Sequence, residues 1–251
     1  MKRSTTTPLV SVVIPAYRCR ETIQKAIDSV LMHNVLLEVI IINDCSPEDL
    51  DTIVKPYQAM ENVIYLKNDD NMGVASSRNR GVLKARGKYI AYLDADDYWT
   101  DDKLEKQLYV IEQKKCVLCY TARELVDAYG ESTGKVIPVK ESLTYKQLLY
   151  HNAINCSSVL LLTEAAREFP MERDDVHEDY LTWLRILKKY KKAFGINEPL
   201  LKYRLSIGGK SRNKLKSAKM TYGVYRLMGL GMIRSIAYFI TYVISGIRKY
   251  V

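Results

Sequence analysis

Short apolar runs alternate with amphipathic stretches along the first hundred residues of the chain. Apolar residues recur at positions 23, 26, 27, 30 and 31, which is the spacing of a helix with one buried face. The predicted strands are residues 10–14, 39–42, 63–66 and 88–93, with a helix over 74–85. This alternation, with continuous apolar strands, predicts an α/β fold whose mostly parallel, Rossmann-like sheet carries helices on both faces.

Further elements are predicted from caps and weaker periodicity. Ser46, Pro47 and Asp49 predict an N-cap, a first-turn proline and an acid at the third helical position, with the helix bent or ended near Pro56. A helix over 101–113 with Thr100 as its cap, strands over 117–121 and 157–162, and a helix that opens at 177–179 follow. Residues 122–156 have polar breaks and little periodicity.

Three carboxylates directly follow the fourth predicted strand. Asp94 and Asp96 stand at i and i+2, so extended backbone points both side chains to one side of the sheet. Mg²⁺ or Mn²⁺ is commonly held by one or two carboxylates together with the phosphate oxygens of a substrate. The pair therefore predicts a metal site in an enzyme that handles a diphosphate. The alternative is a strand-end turn or a helix cap.

Other residues at the ends of predicted strands point to the same edge of the sheet. Pro15 and Tyr17 follow the first strand, Asp44 follows the second, and open parallel sheets bind ligands beyond these carboxyl ends. Asp44 stands where such folds place an acid that hydrogen-bonds a nucleoside. The turn after the first strand has no G-x-G-x-x-G sequence, which argues against a dinucleotide cofactor.

Charge is distributed unevenly along the 251 residues, whose formal net charge is +9. Residues 180–251 hold 16 lysines and arginines and one acid, Glu198, whereas residues 1–179 have a net charge of −6. Within the basic part, residues 235–247 carry no charge, are too few to cross a bilayer, and fit a helix that lies in a membrane interface. An ordinary packing helix and a nucleic-acid-binding tail are the alternatives; no base-reading motif is recognisable.

The five cysteines, odd in number and irregularly spaced, predict no disulfide framework. Cys116 and Cys119 form a lone C-x-x-C in an apolar run, which favours packing in the core over a zinc site. No charged-then-apolar leader opens the sequence, so we expect the N-terminus to stay in the cytoplasm.

Four motifs together resemble the family 2 glycosyltransferases with the GT-A fold. They are Ser11-Val12-Val13-Ile14-Pro15-Ala16-Tyr17, Asn43-Asp44-Cys45-Ser46, Asn71-Met72-Gly73 with Ser77-Arg78-Asn79, and Asp94-Ala95-Asp96-Asp97. The resemblance covers most of the chain up to about residue 205. It implies that Pro15, Tyr17 and Asp44 line the uridine pocket of a UDP-sugar, that Arg78 approaches the nucleotide, and that Asp94 and Asp96 meet the ribose and the metal-bound diphosphate. Alternatively, Tyr17 covers the sheet edge and Arg78 pairs with Asp69 or Asp70 at the surface.

The resemblance also decides between two readings of Glu178 and Asp179. Acids in a first helical turn favour a role at the helix dipole, but family members carry an aspartate here as the catalytic base. Asp179 is therefore the predicted base, Glu178 the reserve, and His177 a neighbour.

Family members often have a metal-binding histidine after Tyr-Arg, where this chain has Ser206 behind Tyr203 and Arg204. This departure argues against a histidine ligand. Lys210 or Arg212, in a glycine-rich segment that could equally be a flexible loop, could close over the diphosphate.

The predicted organisation is a GT-A domain over residues 1–205 and a basic, helical, membrane-surface tail over 206–251. The resemblance implies an inverting enzyme that uses Mn²⁺ or Mg²⁺ and moves a hexose, glucose or galactose favoured, from a UDP-sugar, forming a β linkage. The expected acceptor is an undecaprenyl-diphosphate-linked sugar of O-antigen, capsule or teichuronic-type polymer synthesis, at the cytoplasmic face of the inner membrane, with residues 122–156 on the acceptor side. The alternatives are a nucleotidyltransferase, which would need a glycine-rich loop after the first strand, and a non-catalytic sugar-nucleotide or membrane-binding module.

Overall fold

A single sheet forms the centre of the computed structural model, which describes residues 7–205 and 214–250 and the side chains within 7–205 and 215–242. The strands are β1 Val10–Ala16, β2 Leu37–Asn43, β3 Val63–Lys67, β4 Tyr89–Tyr92, β5 Tyr98–Trp99, β6 Leu118–Val126, β7 Ser132–Ile137, β8 Ser142–Thr144, β9 Leu160–Leu162 and β10 Lys192–Arg204. The helices are α1 Ile23–Leu31, α2 Asp51–Val54, α3 Val74–Lys84, α4 Lys103–Lys114, α5 Tyr145–Tyr150, α6 Thr163–Glu168, α7 Glu178–Tyr190, α8 Lys214–Leu227 and α9 Met232–Tyr250, with 3₁₀ turns at Tyr57–Ala59 and Cys156–Ser158.

The strand order is β3-β2-β1-β4-β9-β6-β10-β5, with β7 beside β6 and β8 beside β10. Strands β1 to β4 are mutually parallel, β9 runs antiparallel between β4 and β6, and β10 is parallel to β6. The carboxyl ends of β1, β2 and β4 therefore meet at one edge of the sheet. The predicted mostly parallel α/β sheet is confirmed.

Alternate residues of the central strands supply two apolar cores, one on each face. Val13 and Ile40 belong to the core that α3, α5, α6, α7 and α8 cover, whereas Val12 and Ile41 belong to the core under α1 and α4. Period-two alternation sends neighbouring side chains to opposite faces, so both faces of β1 and β2 must be apolar. A Cβ atom on Gly81 of α3 would lie 2.3 Å from Val13, which shows how closely this helix approaches β1.

Two predicted helix starts were wrong. The helix expected from Ser46 begins at Asp51 and ends at Val54, before Pro56. The Ser46 hydroxyl accepts hydrogen bonds from the backbone N–H groups of Arg18 and Glu48 and so ties this loop to the turn after β1. The next helix begins at Lys103 rather than Asp101; the Thr100 hydroxyl donates to the Asp102 carboxylate at 2.9 Å and does not cap it.

Residues 122–156 contain more structure than their weak pattern indicates. They hold the second half of β6, strands β7 and β8 and helix α5, whose start at Thr144 is a capping box closed with Gln147. Strand β10 was not predicted at all. The packing predicted for Cys116 and Cys119 is confirmed, since both thiols are buried.

Helices α8 and α9 pack on the same body as the sheet. Val224 and Tyr225 of α8 are fully buried, and Tyr238 and Phe239 of α9 pack against the core that contains α7. The opposite side of α9 exposes Met232, Ile233, Ile236 and Ile240. No helix in the described ranges combines the length and apolar content of a membrane span. The domain boundary at residue 205 stays a prediction.

Candidate active site

A cavity of about 700 Å³ opens at the sheet edge where β1, β2 and β4 end. Its walls include Pro15, Tyr17, Asp44, Arg78, Asp94, Asp96, Glu178 and Asp179, together with Asn155, Asp174, His177 and Tyr203. The structure thus brings together the predicted site residues, apart from Lys210, which lies outside the described residues along with Ser206 and Arg212. What each residue does there stays a prediction.

The three aspartates after β4 have different surroundings. Asp94 accepts a hydrogen bond from Nη2 of Arg78 at 2.5 Å, and its backbone N–H donates to the Ser157 hydroxyl at 3.1 Å. Burial and the neighbouring charge of Asp94 raise the pKa of Asp96 to about 6. A second carboxylate beside a buried one raises the free energy of the ionised pair, and a bound cation would lower it. Asp94 and Asp96 are therefore the pair in this cavity that fits a cation.

Asp97 has a structural role. Its Oδ1 accepts the backbone N–H of Arg204 at 2.9 Å, and the Nε of Arg204 donates to the Asp96 carbonyl at 2.8 Å. Burial and the charges of Asp96 and Asp94 raise the pKa of Asp97 well above its usual range. The third acid of the motif fixes the end of β10 against the loop after β4.

Arg78 lies between the two acidic parts of the cavity. Its side chain on α3 is almost fully buried, with Nη2 on Asp94 at 2.5 Å and Nη1 on Glu178 at 3.0 Å. The alternative that paired Arg78 with Asp69 or Asp70 at the surface is wrong. A buried guanidinium with two carboxylates holds the loop after β4 in register with the start of α7, because each removed partner would leave an uncompensated charge.

Glu178 and Asp179 open helix α7, as predicted, and have unequal partners. Glu178 is ion-paired with Arg78, whereas Oδ1 of Asp179 accepts the backbone N–H of Tyr180 at 2.7 Å. Burial, and then the charge of Glu178, raises the pKa of Asp179 to about 7. A carboxylate that titrates near neutral pH is suited to general base catalysis. The contrast favours Asp179 over Glu178 as a proton acceptor.

Asp44 organises the loop before α3. Its carboxylate accepts hydrogen bonds from Nδ2 of Asn68 at 2.6 Å and from the backbone N–H groups of Met72 and Gly73, each at 2.9 Å. Gly73 has φ +86° at the N-cap of α3, a conformation that suits glycine. Asp44 therefore shapes the cavity wall, in addition to lining it.

Asp174 and His177 are cavity residues that sequence patterns did not identify as functional. Asp174 accepts the backbone N–H of Ala75 at 3.2 Å, so a carboxylate stands at the N-terminus of α3. Nε2 of His177 lies 3.0 Å from the hydroxyl of Ser217, which ties the start of α7 to α8. Their partners are 99 and 40 residues away along the chain, and local sequence patterns cannot predict contacts over such distances.

Tyr17 lies at the mouth of the cavity. Its side chain is 42% exposed, and the guanidinium of Arg18 lies 5.4 Å from its ring centroid. Arg18 has φ +50° in the turn after β1, and its backbone N–H donates to Ser46 at 3.1 Å. The turn thus leaves the Tyr17 ring partly accessible beside Pro15 on the cavity wall.

The donor set fits a hard divalent cation only with help from a substrate. Among the described residues, no group of three or more His, Cys, Asp and Glu side chains is arranged to hold a metal ion. Asp94 and Asp96 supply carboxylate oxygens, one of which is bonded to Arg78. Mg²⁺ is commonly bound by one or two carboxylates, water and substrate phosphates, so two acids suffice when a diphosphate is present.

Comparison with known proteins gives a consistent result. The family model described as "Glycosyl transferase family 2" matches residues 11–166. The putative teichuronic acid biosynthesis glycosyltransferase TuaG of Bacillus subtilis is 36% identical over 96% of this chain and 97% of its own length. The Escherichia coli protein named UDP-Glc:alpha-D-GlcNAc-diphosphoundecaprenol beta-1,3-glucosyltransferase WfaP is 32% identical over 96% and 95% of the two chains.

Two solved structures confirm the predicted GT-A fold. Staphylococcus aureus TarS 1–349 in complex with UDP-GlcNAc superposes with a TM-score of 0.74 and 17% identity, over 92% of this chain and 70% of that one. The mannosyltransferase PcManGT of Pyrobaculum calidifontis, in complex with GDP-Man and Mn²⁺, gives a TM-score of 0.70 and 14% identity over 94% and 70%. At these identities the likeness concerns the fold alone.

Proposed function

This chain belongs to glycosyl transferase family 2, and we propose that it transfers a hexose from a UDP-sugar, with inversion, to a hydroxyl group of a lipid-diphosphate-linked sugar. The observation that carries the proposal is the shared cavity in which Asp94 and Asp96 stand across the buried Arg78 from Glu178, the neighbour of Asp179. A diphosphate site and a carboxylate that titrates near pH 7 are the two components that such a transfer needs.

In the proposed reaction, Asp179 accepts the proton of the acceptor hydroxyl. The hydroxyl oxygen then bonds to the anomeric carbon as the bond from that carbon to the β-phosphate oxygen breaks, and UDP leaves. A single displacement inverts the configuration, which gives a β linkage from an α-linked donor. The partly apolar, buried setting that raises the pKa of Asp179 also makes it a stronger base than an exposed aspartate.

A Mn²⁺ or Mg²⁺ ion held by Asp96 and Asp94 would act as a Lewis acid toward the diphosphate. The Mn²⁺ present with PcManGT supports this assignment. Arg78 orients Asp94 through a 2.5 Å ion pair. In the proposal, Arg78 therefore acts on the nucleotide through the carboxylate of Asp94. The contact of Lys210 with the diphosphate stays part of the proposal.

The nucleoside part of the donor is assigned to the turn after β1 and the end of β2. Tyr17 offers an exposed ring, Pro15 lies beside it on the cavity wall, and Asp44 fixes the backbone of 71–73 next to them. The presence of UDP-GlcNAc in the TarS complex and of UDP-Glc in the name of WfaP supports uridine as the base.

The acceptor is assigned to a membrane-linked lipid, and the protein to the cytoplasmic face of the membrane as a peripheral enzyme. The names of WfaP and TuaG support polysaccharide synthesis, the first on a diphosphoundecaprenol-linked GlcNAc. The exposed row of Met232, Ile233, Ile236 and Ile240 on α9 gives an apolar surface within the basic residues of 206–251. Such a combination favours binding to an anionic leaflet.

The proposal is tested by measuring UDP release from UDP-glucose and UDP-galactose with Mn²⁺ and an undecaprenyl- or shorter polyprenyl-diphosphate-linked GlcNAc. We expect release to depend on both donor and acceptor, with a β-linked disaccharide in the product. Release of pyrophosphate from UTP and a sugar phosphate would instead indicate a nucleotidyltransferase. UDP binding without turnover for any donor would indicate a non-catalytic sugar-nucleotide-binding module.

A further inference from the structure

A second cavity of about 700 Å³ lies between β7, β8 and α5. Its wall is largely apolar, from Val136, Ile137, Pro138, Val139 and Leu143, and Lys135 and Lys140 line it as well. Val136 is 46% exposed and Ile137 is buried, so the apolar wall extends from the core to the surface. We name this cavity the β7 cleft. A wall of this composition suits an amphiphile that joins an apolar chain to an anionic group.

The β7 cleft and the active-site cavity are lined by neighbouring residues of one chain segment. Ala153 lines the β7 cleft, whereas Asn155 and Cys156 line the active-site cavity. Two residues of chain span at most roughly 7 Å, so the two cavities are separated along this segment by no more than about the length of a diphosphate or of one sugar ring. A molecule could therefore lie across this segment with its sugar in one cavity and its remainder in the other.

The other end of the β7 cleft adjoins α9. The ring of Tyr150, on the cleft wall, packs edge-on against Tyr238 at 5.2 Å, and the ring of His151 lies 6.1 Å from that of Tyr242. Helix α9 is also the helix whose outer side exposes Ile233 and Ile240. The cleft thus adjoins both the segment that lines the active-site cavity and the helix assigned to the membrane.

We propose that the β7 cleft binds the isoprenoid diphosphate of the lipid-linked acceptor, an inference that rests on the proposed function. Lys135 and Lys140 bind the diphosphate as point charges, while Val136, Pro138 and Val139 contact the first isoprene units. The sugar then extends past Ala153 toward Asp179, and the rest of the chain runs along α9 to the bilayer.

Farnesyl diphosphate is the probe, because it carries both recognition elements and stays in solution. Its affinity is measured by calorimetry on the full chain, beside farnesol and inorganic diphosphate, and UDP with Mn²⁺ serves as a measure of the donor site. We expect farnesyl diphosphate to bind at least about tenfold more tightly than either part alone, since both elements contribute.

The variants remove one element each. Lys135→Gln with Lys140→Gln neutralises the two cleft lysines, and Val136→Asp puts a like charge beside the diphosphate at a position already half exposed. Lys55→Gln with Lys84→Gln, two exposed lysines that do not line the cleft, is the matched control for net charge. Both cleft variants should lower the affinity for farnesyl diphosphate at least about tenfold. The control variant should bind farnesyl diphosphate as wild type does, and the affinity for UDP should stay unchanged in every variant.

The possible results separate the two proposals. If farnesyl diphosphate fails to bind the wild-type chain, or binds all variants equally, the cleft assignment is overturned even when UDP binding and transfer are normal. If inorganic diphosphate binds as tightly as farnesyl diphosphate, the lysines form a plain anion site and the lipid assignment is overturned. If UDP and sugar transfer fail while cleft-dependent farnesyl diphosphate binding is found, the donor function is wrong and the cleft stands.

Discussion

The Nη1 atom of Arg78 lies 3.0 Å from Oε1 of Glu178, and both side chains are buried. Glu178 thereby has a guanidinium as its partner, whereas its neighbour Asp179 has its pKa raised to about 7 by burial and by the charge of Glu178. Two adjacent carboxylates thus acquire different chemical roles from their surroundings. One holds the site together, and the other is suited to accept a proton.

Replacement of Arg78 should destabilise the fold as well as the site. Arg78→Met leaves Asp94 and Glu178 without their buried cation, which costs about 3–5 kcal/mol of unfolding free energy. Chemical denaturation measures this loss. Lys84→Met, at an exposed position of the same helix, is the control and should stay within about 0.5 kcal/mol of wild type. An Arg78→Met variant as stable as the control would show that the buried ion pairs do not hold the site together.

Removal of divalent metal should weaken UDP binding. Asp94 and Asp96 alone leave most of a six-oxygen coordination shell to phosphate and water, so metal and nucleotide are expected to bind together. Calorimetry with and without a chelator measures the difference, with Asp96→Ala as the site variant and Asp69→Ala, at an exposed position, as its control. Equal UDP affinity in Mn²⁺ and in chelator would contradict the metal assignment.

The outer surface of α9 should bind anionic vesicles. Ile233→Asp with Ile240→Asp removes two apolar side chains that are 85% and 53% exposed. Cosedimentation should fall at least about tenfold, since burying one such side chain contributes roughly 1.5–3 kcal/mol. Leu83→Asp, at a residue of α3 that is 76% exposed, controls for added charge. Deletion of 230–251 is less discriminating because it also removes Tyr238 and Phe239, which pack against the core. Unchanged cosedimentation of the double variant would refute this surface.

Local patterns were enough to predict the sheet edge. Asp44, Asp94 and Asp96 each follow an apolar strand directly, and parallel strands bring their carboxyl ends together whatever the rest of the chain does. The position of Asp179 at the start of α7 was likewise readable from the sequence. The parallel-sheet topology that the alternation of strands and helices predicted was enough to place these residues in one cavity.

The contacts between these parts could not be predicted in the same way. Arg78 and Glu178 are 100 residues apart, and Asp174 is 99 residues from Ala75, so no spacing rule connects them. Strand β10 escaped prediction because Gly195 and Pro199 interrupt its pattern; its register with β6 shifts between Ile196 and Leu201, across that proline.

The tail shows a related limit. An uncharged aromatic run predicted an interfacial helix, yet Tyr238 and Phe239 face the protein core while isoleucines face outward. Residue type predicts that a helix has an apolar surface, but only the neighbouring helices determine which apolar side is covered.

Transfer should depend on pH through Asp179. The base must be ionised, so turnover should rise as the pH increases through about 7 and level off above that value. Glu178→Gln removes the charge that helps to raise this pKa and should move the rise to lower pH. The same raised pKa means that the folded state binds this proton more tightly than the unfolded chain, so this contribution to stability is present at low pH and lost as the pH rises through about 7. If the rise in turnover occurred at the same pH in Glu178→Gln as in the wild type, the assignment of the pH dependence to Asp179 would be contradicted.

The most direct test compares Asp179→Asn with Glu178→Gln in single-turnover transfer from the UDP-sugar, with UDP affinity measured on the same preparations. Because a general base acts in the transition state, Asp179→Asn should lower the rate about 10²- to 10⁴-fold and leave UDP affinity nearly unchanged. Glu178→Gln retains Asp179 and should lose less than about tenfold. Near-normal transfer by Asp179→Asn, with an inactive Glu178→Gln, would contradict the assignment of Asp179 as the base.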